Sequence, residues 1–337
     1  MERARLIYEQ IEEAKRHLLG GSHLQLRLAL ILLDNAAELL MHRELRDEFA
    51  RADYYQPKWE PALGDWLRSG LGPKYTEKER RDSEREFEPK IRILQLRLKR
   101  ISESDRRVLC VCHKLRCEAF HRGHVRSQIL AHICKLLYLT VAELTVKLPV
   151  KVYSVPGGDQ DKESAAFLGR FGVKDPYAFG SEERNGSLRN KLVENIAFDA
   201  AESARALSDD LVGRIDTTIE GLAYVGETED RSKIDYNMQY GQFWHDVGAH
   251  LMEEGTLEPE LGEQFKAWQS AGRARFTLAK VTRWRRTAVA IARCTNPANA
   301  LDHYWAIDKR FARLEQGVGK SVAEYDEWIN MEIHHRR

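Results

Sequence analysis

Apolar residues recur at helical spacing along most of the chain, and this pattern predicts an all-α fold. The first helix is predicted over residues 2–19, which form a charged, amphipathic stretch that ends at Gly20-Gly21. Ser22 is a suitable N-cap for a longer second helix over 23–52. That second helix is apolar around much of its circumference, as is typical of the central helix of a bundle.

Three polar residues interrupt the apolar pattern in the middle of the second predicted helix: Asp34, Asn35 and Glu38. One interpretation is a solvated stripe, because such side chains are mostly exposed in folded proteins. The other is that Asn35 or Glu38 faces a functional site on another helix.

A long connection separates these two helices from the next ones. Residues 53–85 contain three prolines and three glycines, which predict a loop with at most a short helical piece. A charge-rich helix is predicted over 84–99. Ser102, with Asp105 three residues later, resembles a capping box at the start of a further helix, and another helix is predicted over 125–147.

The second half of the chain is also predicted to be helical. Pro156-Gly157-Gly158-Asp159 is a turn-forming stretch that marks the division, so we expect a helical bundle over 1–150 and a second α-helical domain over 160–337. The predicted helices of the second half are 188–207, 209–224, 236–254, 258–270, 272–294, 298–316 and 320–334.

Composition excludes several classes of protein. The 337 residues carry a formal net charge of +1, so any contact with nucleic acid requires a local basic patch. The five cysteines lack the paired spacing of a zinc site or of a disulfide framework, which favours a reducing, cytoplasmic setting and no metal. The most hydrophobic stretch, 24–41, is interrupted by charges, so no membrane span is expected. No motif for a cofactor is present.

Arg116 and His121, with four residues between them, lie at the end of a predicted helix that stops before Gly123. About one such pair is expected by chance in a chain of this composition, so the spacing alone carries no weight. The two side chains suit cleavage of RNA, in which the ribose 2′-OH attacks the phosphate and leaves 2′,3′-cyclic phosphate and 5′-OH ends. Histidine exchanges a proton near neutral pH, and the planar guanidinium of arginine binds two phosphate oxygens.

Helix geometry adds a condition to this pairing. Residues five apart on a regular helix differ in direction by about 140°, so Arg116 and His121 do not converge within one helix. Either His121 leaves the helix and folds back at Gly123, or a second copy of the chain completes the site across a two-fold axis.

The surrounding sequence strengthens the motif. A long apolar helix, LALILLDNAAELL at 28–40, precedes a helix that ends HKLRCEAFHRG at 113–123. Over 20–148 this arrangement resembles the HEPN domain (higher eukaryotes and prokaryotes nucleotide-binding), an all-α superfamily. The resemblance implies a metal-independent ribonuclease of a prokaryotic defence or toxin–antitoxin system, acting as a dimer with a composite site. It assigns catalysis to Arg116 and His121.

One position departs from the family pattern. The residue after the motif arginine is polar and often Asn in the family, whereas here it is Cys117, and a thiol forms weaker hydrogen bonds than an amide. We expect supporting roles, such as orienting His121 or contacting a base, for four residues: His113, Cys117, Glu118 and Asn35.

Two sets of basic residues are candidates for contact with RNA phosphates. The first lies beside the motif and comprises Lys114, Arg122 and Arg126. The second lies in 266–301, a stretch without Asp or Glu, where four residues share one side of the predicted helix: Arg275, Arg283, Arg286 and Arg293. The alternatives are solvated charges near the motif and, for the second set, an acidic partner surface or acidic helices of the same chain.

Two hypotheses follow. In the first, the chain is a dimeric HEPN ribonuclease whose partners are RNA and an antitoxin or defence-system protein. In the second, it is a non-catalytic helical module that binds RNA or a partner. Arg116 and His121 would then only benefit from the negative end of a helix dipole.

Overall fold

The computed structural model describes residues 2–54, 75–121, 126–148, 166, 169–171, 182–253 and 258–335. All regular structure in these residues is helical, so the predicted all-α class is confirmed. The chain forms two units: Met1–Ser203 with Asn296–Asp302, and Ala204–Thr295 with His303–Arg337.

The first unit is built around α2. Its described helices are α1 (Glu2–Gly20), α2 (His23–Tyr54), α3 (Glu77–Arg85), α4 (Phe87–Arg92), α5 (Glu103–His121), α6 (Ser127–Lys147) and α7 (Glu182–Val193), and α4 continues into a π-helical turn, Ile93–Arg97. Helix α2 contacts α1, α3, α4, α5 and α6. Leu30, Ala36 and Leu45 lie on different sides of this helix and are all buried, which explains why its sequence is apolar around much of its circumference.

Helix α6 is the second apolar element of this unit. By length and composition it is apolar enough to cross a membrane, yet most of it is buried inside the unit, as in the core helix of a bundle. The Tyr138 hydroxyl on α6 donates to the Leu192 carbonyl oxygen at 2.8 Å. This bond holds α7 against α6, so the first unit extends beyond the division predicted near 150–160, a stretch outside the described residues.

The capping signal predicted for α5 is present. The Asp105 backbone N–H donates to Ser102 Oγ at 3.1 Å, and the Ser102 N–H donates to Asp105 Oδ2 at 2.7 Å. An equivalent box between Thr76 and Glu79 begins α3, which lies inside the stretch predicted to be a connection. The single helix predicted over 84–99 is wrong, because Glu86 adopts an extended conformation and separates α3 from α4.

Two helices of the second unit run through breaks that the sequence predicts, whereas the helix predicted over 188–207 is interrupted after Val193. The second unit comprises most of α8 (Ala200–Val225), then α9 (Arg231–Phe243) with a π-helical turn at Trp244–Gly248, α10 (Ala249–Glu253), α11 (Glu258–Ser270), α12 (Leu278–Ile291) and most of α13 (Pro297–His335). The break predicted near 208 is absent, because Ser208 is buried within α8. Gly317 and Gly319 do not interrupt α13, so the two helices predicted over 298–334 are one.

A buried ion network holds the second unit together. Arg214 on α8 reaches Asp308 Oδ1 at 2.8 Å and Glu315 Oε2 at 2.6 Å, both on α13. The Asp308 side chain is 1% exposed and that of Arg214 is 16% exposed. Removing the cation would leave a buried carboxylate without a charged partner, and this destabilises a folded protein by several kcal/mol. Arg214 is therefore needed for the stability of the second unit.

Arg214→Met keeps the aliphatic stem and removes the charge, and we expect it to lower the free energy of unfolding of the second unit by about 3 kcal/mol. Urea denaturation of the full chain, followed by tryptophan fluorescence, measures this change. Arg285→Met is the matched control, because Arg285 pairs with Asp216 at the surface, with side chains 43% and 37% exposed. Its expected cost is below about 1 kcal/mol. Equal costs for the two variants would contradict the assignment.

Candidate functional site

Asp34 is a buried carboxylate in the middle of α2. Only 2% of the residue is exposed, and its oxygens face α5 rather than solvent. Burial of an ionised carboxylate requires hydrogen-bonding or charged partners, and two residues of α5 provide them. The side chain therefore does not belong to a solvated stripe.

His113 is the first of these partners. Its Nδ1 lies 3.1 Å from both Asp34 oxygens. The imidazole also stacks on the Phe87 ring of α4, with the ring centroids 3.9 Å apart and the planes 4° from parallel. The carboxylate and the aromatic ring together fix the position and the plane of the imidazole.

Arg116 is the second partner of the carboxylate. Its Nε lies 3.5 Å from Asp34 Oδ2, and its side chain is 29% exposed. The adjacent Cys117 has its Sγ 3.9 Å from His113 Nε2 and 4.0 Å from Arg116 Nη1. Asp34, His113, Arg116 and Cys117 form one cluster, which we call the Asp34 cluster.

Helical spacing explains why these residues meet. Positions 113, 116 and 117 are related as i, i+3 and i+4, so they share one face of α5. That face is held against α2 at its C-terminal end, where Arg27 Nη2 donates to the Ala119 carbonyl oxygen at 3.0 Å. The carbonyl is one of the last in the helix and has no acceptor role within it.

Asn35 does not join the cluster, which corrects the expectation for this residue. One step along a helix rotates the side chain by about 100°, so Asn35 turns away from the face that carries Asp34. Its Nδ2 donates to Gln10 Oε1 on α1 at 3.0 Å. Glu38, one turn after Asp34, pairs instead with the buried Lys90 of α4 at 2.8 Å.

The remaining motif residues lie around the end of α5. His121 is its last helical residue, and the side chain lies outside the described residues, as does the whole of Arg122. Glu118 is half-buried on α5, and Arg126 is half-buried immediately before α6. Lys114 pairs with Glu88 at 2.7 Å, and this hydrogen bond is the main cause of the lowered pKa of the Glu88 carboxyl.

The backbone of α5 limits whether the side chains of Arg116 and His121 in one copy of the chain can point toward the same site. Because the helix continues through His121, the separation of about 140° between the two positions is retained. Of the two arrangements that bring the pair together, completion by a second copy of the chain is the one compatible with a helical His121.

The second basic set is divided by the bounds of α12. The helix runs only from Leu278 to Ile291, so Arg275 precedes it and Arg293 follows it, and the predicted stripe of four is wrong. The reason is the N-cap at Thr277, whose hydroxyl accepts from the Lys280 backbone N–H. Arg275 pairs with Asp246 at 3.2 Å, and Arg293 is exposed.

Arg283 and Arg286 remain together on the exposed side of α12. They line an open groove of about 440 Å³ with Arg231 and Ser232 of α9. Asp235 also lines it, but its Oδ1 accepts from the Leu278 backbone N–H at 2.6 Å and so caps α12. Arg231 Nη2 donates to Thr282 Oγ1 at 3.2 Å. We call this feature the arginine groove, and its charge suits a phosphate-bearing ligand.

Sequence reasoning missed Asp34 and Phe87 as members of the site. A signal for Asp34 was present, because a charged residue that interrupts a long apolar run requires a partner if it is buried. No comparable signal marks Phe87, whose role depends on how α4 meets α5. Within the described residues, no group of three or more His, Cys, Asp or Glu side chains is placed to hold a metal ion.

Comparisons with models of protein families, with curated proteins and with solved structures give no match for this chain. The functional argument therefore depends on the geometry of the Asp34 cluster and of the arginine groove.

Proposed function

We propose that this chain is a metal-independent endoribonuclease of the HEPN type that acts as a dimer. One observation carries the proposal: the buried Asp34 of α2 forms an ion pair with Arg116, the arginine of the R-x4-H motif, with Asp34 Oδ2 3.5 Å from Arg116 Nε. A catalytic arginine must be held in a precise orientation, and a contact with a carboxylate on a neighbouring helix is one way to achieve this.

Arg116 would bind and stabilise the phosphate. Asp34 approaches its guanidinium through Nε, whereas a bidentate contact with phosphate uses the terminal nitrogens. Positive charge held in place before the reaction stabilises the anionic, five-coordinate phosphorus that forms when the 2′-OH attacks. We therefore assign the phosphate to the terminal nitrogens of Arg116 and an orienting role to the carboxylate.

His121 would transfer the proton. It removes a proton from the 2′-OH or delivers one to the departing 5′-oxygen, as a histidine does near neutral pH. Since Arg116 and His121 point about 140° apart on one helix, we assign Arg116 of one copy and His121 of the other to a single site. The copies are related by a two-fold axis, so two such sites form.

The alternative function is RNA binding without cleavage, and the arginine groove favours it. Arg283 and Arg286 are exposed and have no ion-pair partner among the residues that the structure describes. Exposed arginines without an ion-pair partner are suited to bind nucleic-acid phosphates, which releases the counterions condensed on the nucleic acid. The groove also fits the first proposal as a surface that holds substrate RNA.

Purified full-length chain is expected to cleave total RNA in EDTA and to leave 2′,3′-cyclic phosphate ends. Arg116→Ala and His121→Ala should each lower the rate by about 100-fold or more, since each removes charge stabilisation or proton transfer. The matched controls are Arg106→Ala, on the same helix but paired with Glu103, and His132→Ala on α6. Both should retain wild-type cleavage.

Mixing the two inactive variants tests the composite site. A heterodimer of Arg116→Ala and His121→Ala contains one site with both native residues, so about a quarter of the wild-type rate should return after subunit exchange. No return on mixing would contradict a site shared between copies. Cleavage by His121→Ala at the wild-type rate, or no cleavage by the wild type, would count against the nuclease proposal itself.

Binding to the arginine groove is measured separately, with fluorescently labelled single-stranded RNA and the catalytically inactive His121→Ala chain as background. Adding Arg283→Ala and Arg286→Ala should weaken binding by about tenfold at moderate salt and reduce the dependence of the affinity on salt concentration. Arg285→Ala is the control, because that side chain is engaged by Asp216 at 2.6 Å. Equal losses for Arg285 and for the pair would exclude the groove as the binding surface.

A further inference from the structure

Three side chains of the Asp34 cluster are arranged in the order thiol, imidazole, carboxylate. Cys117 Sγ lies 3.9 Å from His113 Nε2, and His113 Nδ1 lies 3.1 Å from Asp34. Enzymes that use a cysteine nucleophile place the thiol, its base and the group that orients the base in this order. The ribonuclease proposal does not use this arrangement.

The carboxylate determines which nitrogen of His113 carries the proton. A buried carboxylate accepts hydrogen bonds, so the neutral imidazole donates its proton from Nδ1 to Asp34. The lone pair of Nε2 then faces the sulfur of Cys117 and can accept the thiol proton. Stacking on Phe87 prevents the ring from turning out of this geometry.

Charge and access also favour a reactive sulfur. Arg116 Nη1 lies 4.0 Å from Cys117 Sγ, so a permanent positive charge stands beside the sulfur. Cys117 is half-buried, and the His113 side chain is 24% exposed, so small molecules in solution reach the pair. Reactive cysteines in proteins are typically found in such electropositive, partly exposed surroundings.

We infer that Cys117 is a nucleophilic thiol whose reaction partner is a small hydroperoxide, with His113 as its base and Asp34 as the residue that positions His113. The thiol proton moves to His113 Nε2, and the sulfur attacks one peroxide oxygen. An S–O bond forms while the O–O bond breaks. The departing hydroxide takes the proton from His113 and leaves as water, so that the thiol and hydrogen peroxide become sulfenic acid and water.

The chain contains its own comparison for this site. Cys294 Sγ lies 3.9 Å from His303 Nδ1, the same separation as in the Cys117 pair, and Cys294 is also half-buried. In the described part of the chain no carboxylate contacts His303. The two cysteines therefore differ in the group that orients the histidine and in the adjacent arginine.

The three other cysteines are expected to react slowly. Burial raises the pKa of the Cys110 thiol and of the fully buried Cys112 thiol, and it raises the pKa of Cys134 to about 12. Thiols with raised pKa values contain little thiolate near neutral pH. They provide a baseline within the same sample.

The test treats the native full-length chain with hydrogen peroxide in the presence of a dione that traps sulfenic acid. Peptide mass spectrometry then follows labelling of each cysteine over time. We expect Cys117 to be labelled about tenfold faster than Cys294 or more, because a carboxylate orients its base and an arginine lies beside its sulfur. Equal rates for Cys117 and Cys294, or a slower rate for Cys117, would overturn the inference.

Two substitutions test the assigned roles. Asp34→Asn and His113→Gln should reduce the Cys117 rate to that of Cys294, whereas His303→Gln should leave the Cys117 rate unchanged. An unchanged rate in a folded His113→Gln chain would remove His113 as the base and overturn the inference.

The comparison of Cys117 with Cys294 requires no substitution, so it tests the inference even where a variant fails to fold. No RNA is present, so failure of the nuclease proposal is measured independently.

Discussion

The contact of Asp34 with His113 and Arg116 is the constraint on which the site depends. A carboxylate that is 2% exposed in the centre of a long, largely buried helix is costly unless cations or hydrogen-bond donors approach it. The packing of α5 on α2 brings His113 and Arg116 to the carboxylate, and α5 buries its own apolar residues in the same unit.

The apolar pattern was sufficient to predict the helical class and most helices of the first unit, because burial against α2 repeats with the period of a helix. Breaks between helices were predicted less well. Ser208 and Gly317 resemble helix ends by residue type, but packing on neighbouring helices carries α8 and α13 through them. The opposite error occurs at Glu86, where one continuous helix was predicted and an extended residue separates two helices.

The sequence named several residues of the Asp34 cluster but not its centre. Arg116, His113 and Cys117 were singled out at or beside the motif, whereas the residue of α2 that faces them was expected to be Asn35 or Glu38 instead of Asp34. Positions 34 and 35 differ by one residue and by about 100° of rotation, and only the contact between α2 and α5 determines which one faces the motif. The predicted arginine stripe contained four residues, but α12 carries only Arg283 and Arg286. The bounds of α12 depend on caps from Thr277 and Asp235, and Asp235 lies on another helix.

Cys117 connects the two proposed chemistries. In the proposed ribonuclease it occupies the polar position beside the motif arginine, and in the proposed thiol site it is the nucleophile. Both proposals use Arg116 in its position beside Asp34. Oxidation of Cys117 would place a polar oxygen next to the guanidinium that is proposed to bind phosphate, so the two proposed activities would compete for the same arginine.

The central claim is that Asp34 orients the residues of α5, and the protonation of His113 tests it most directly. Nitrogen-15 NMR of the labelled full-length chain at alkaline pH, where imidazole is neutral, distinguishes the two tautomers, and His113→Gln identifies the signals. The account predicts that Nδ1 carries the proton and Nε2 does not, and that Asp34→Ala abolishes this preference. A proton on Nε2 in the wild-type chain would contradict the account.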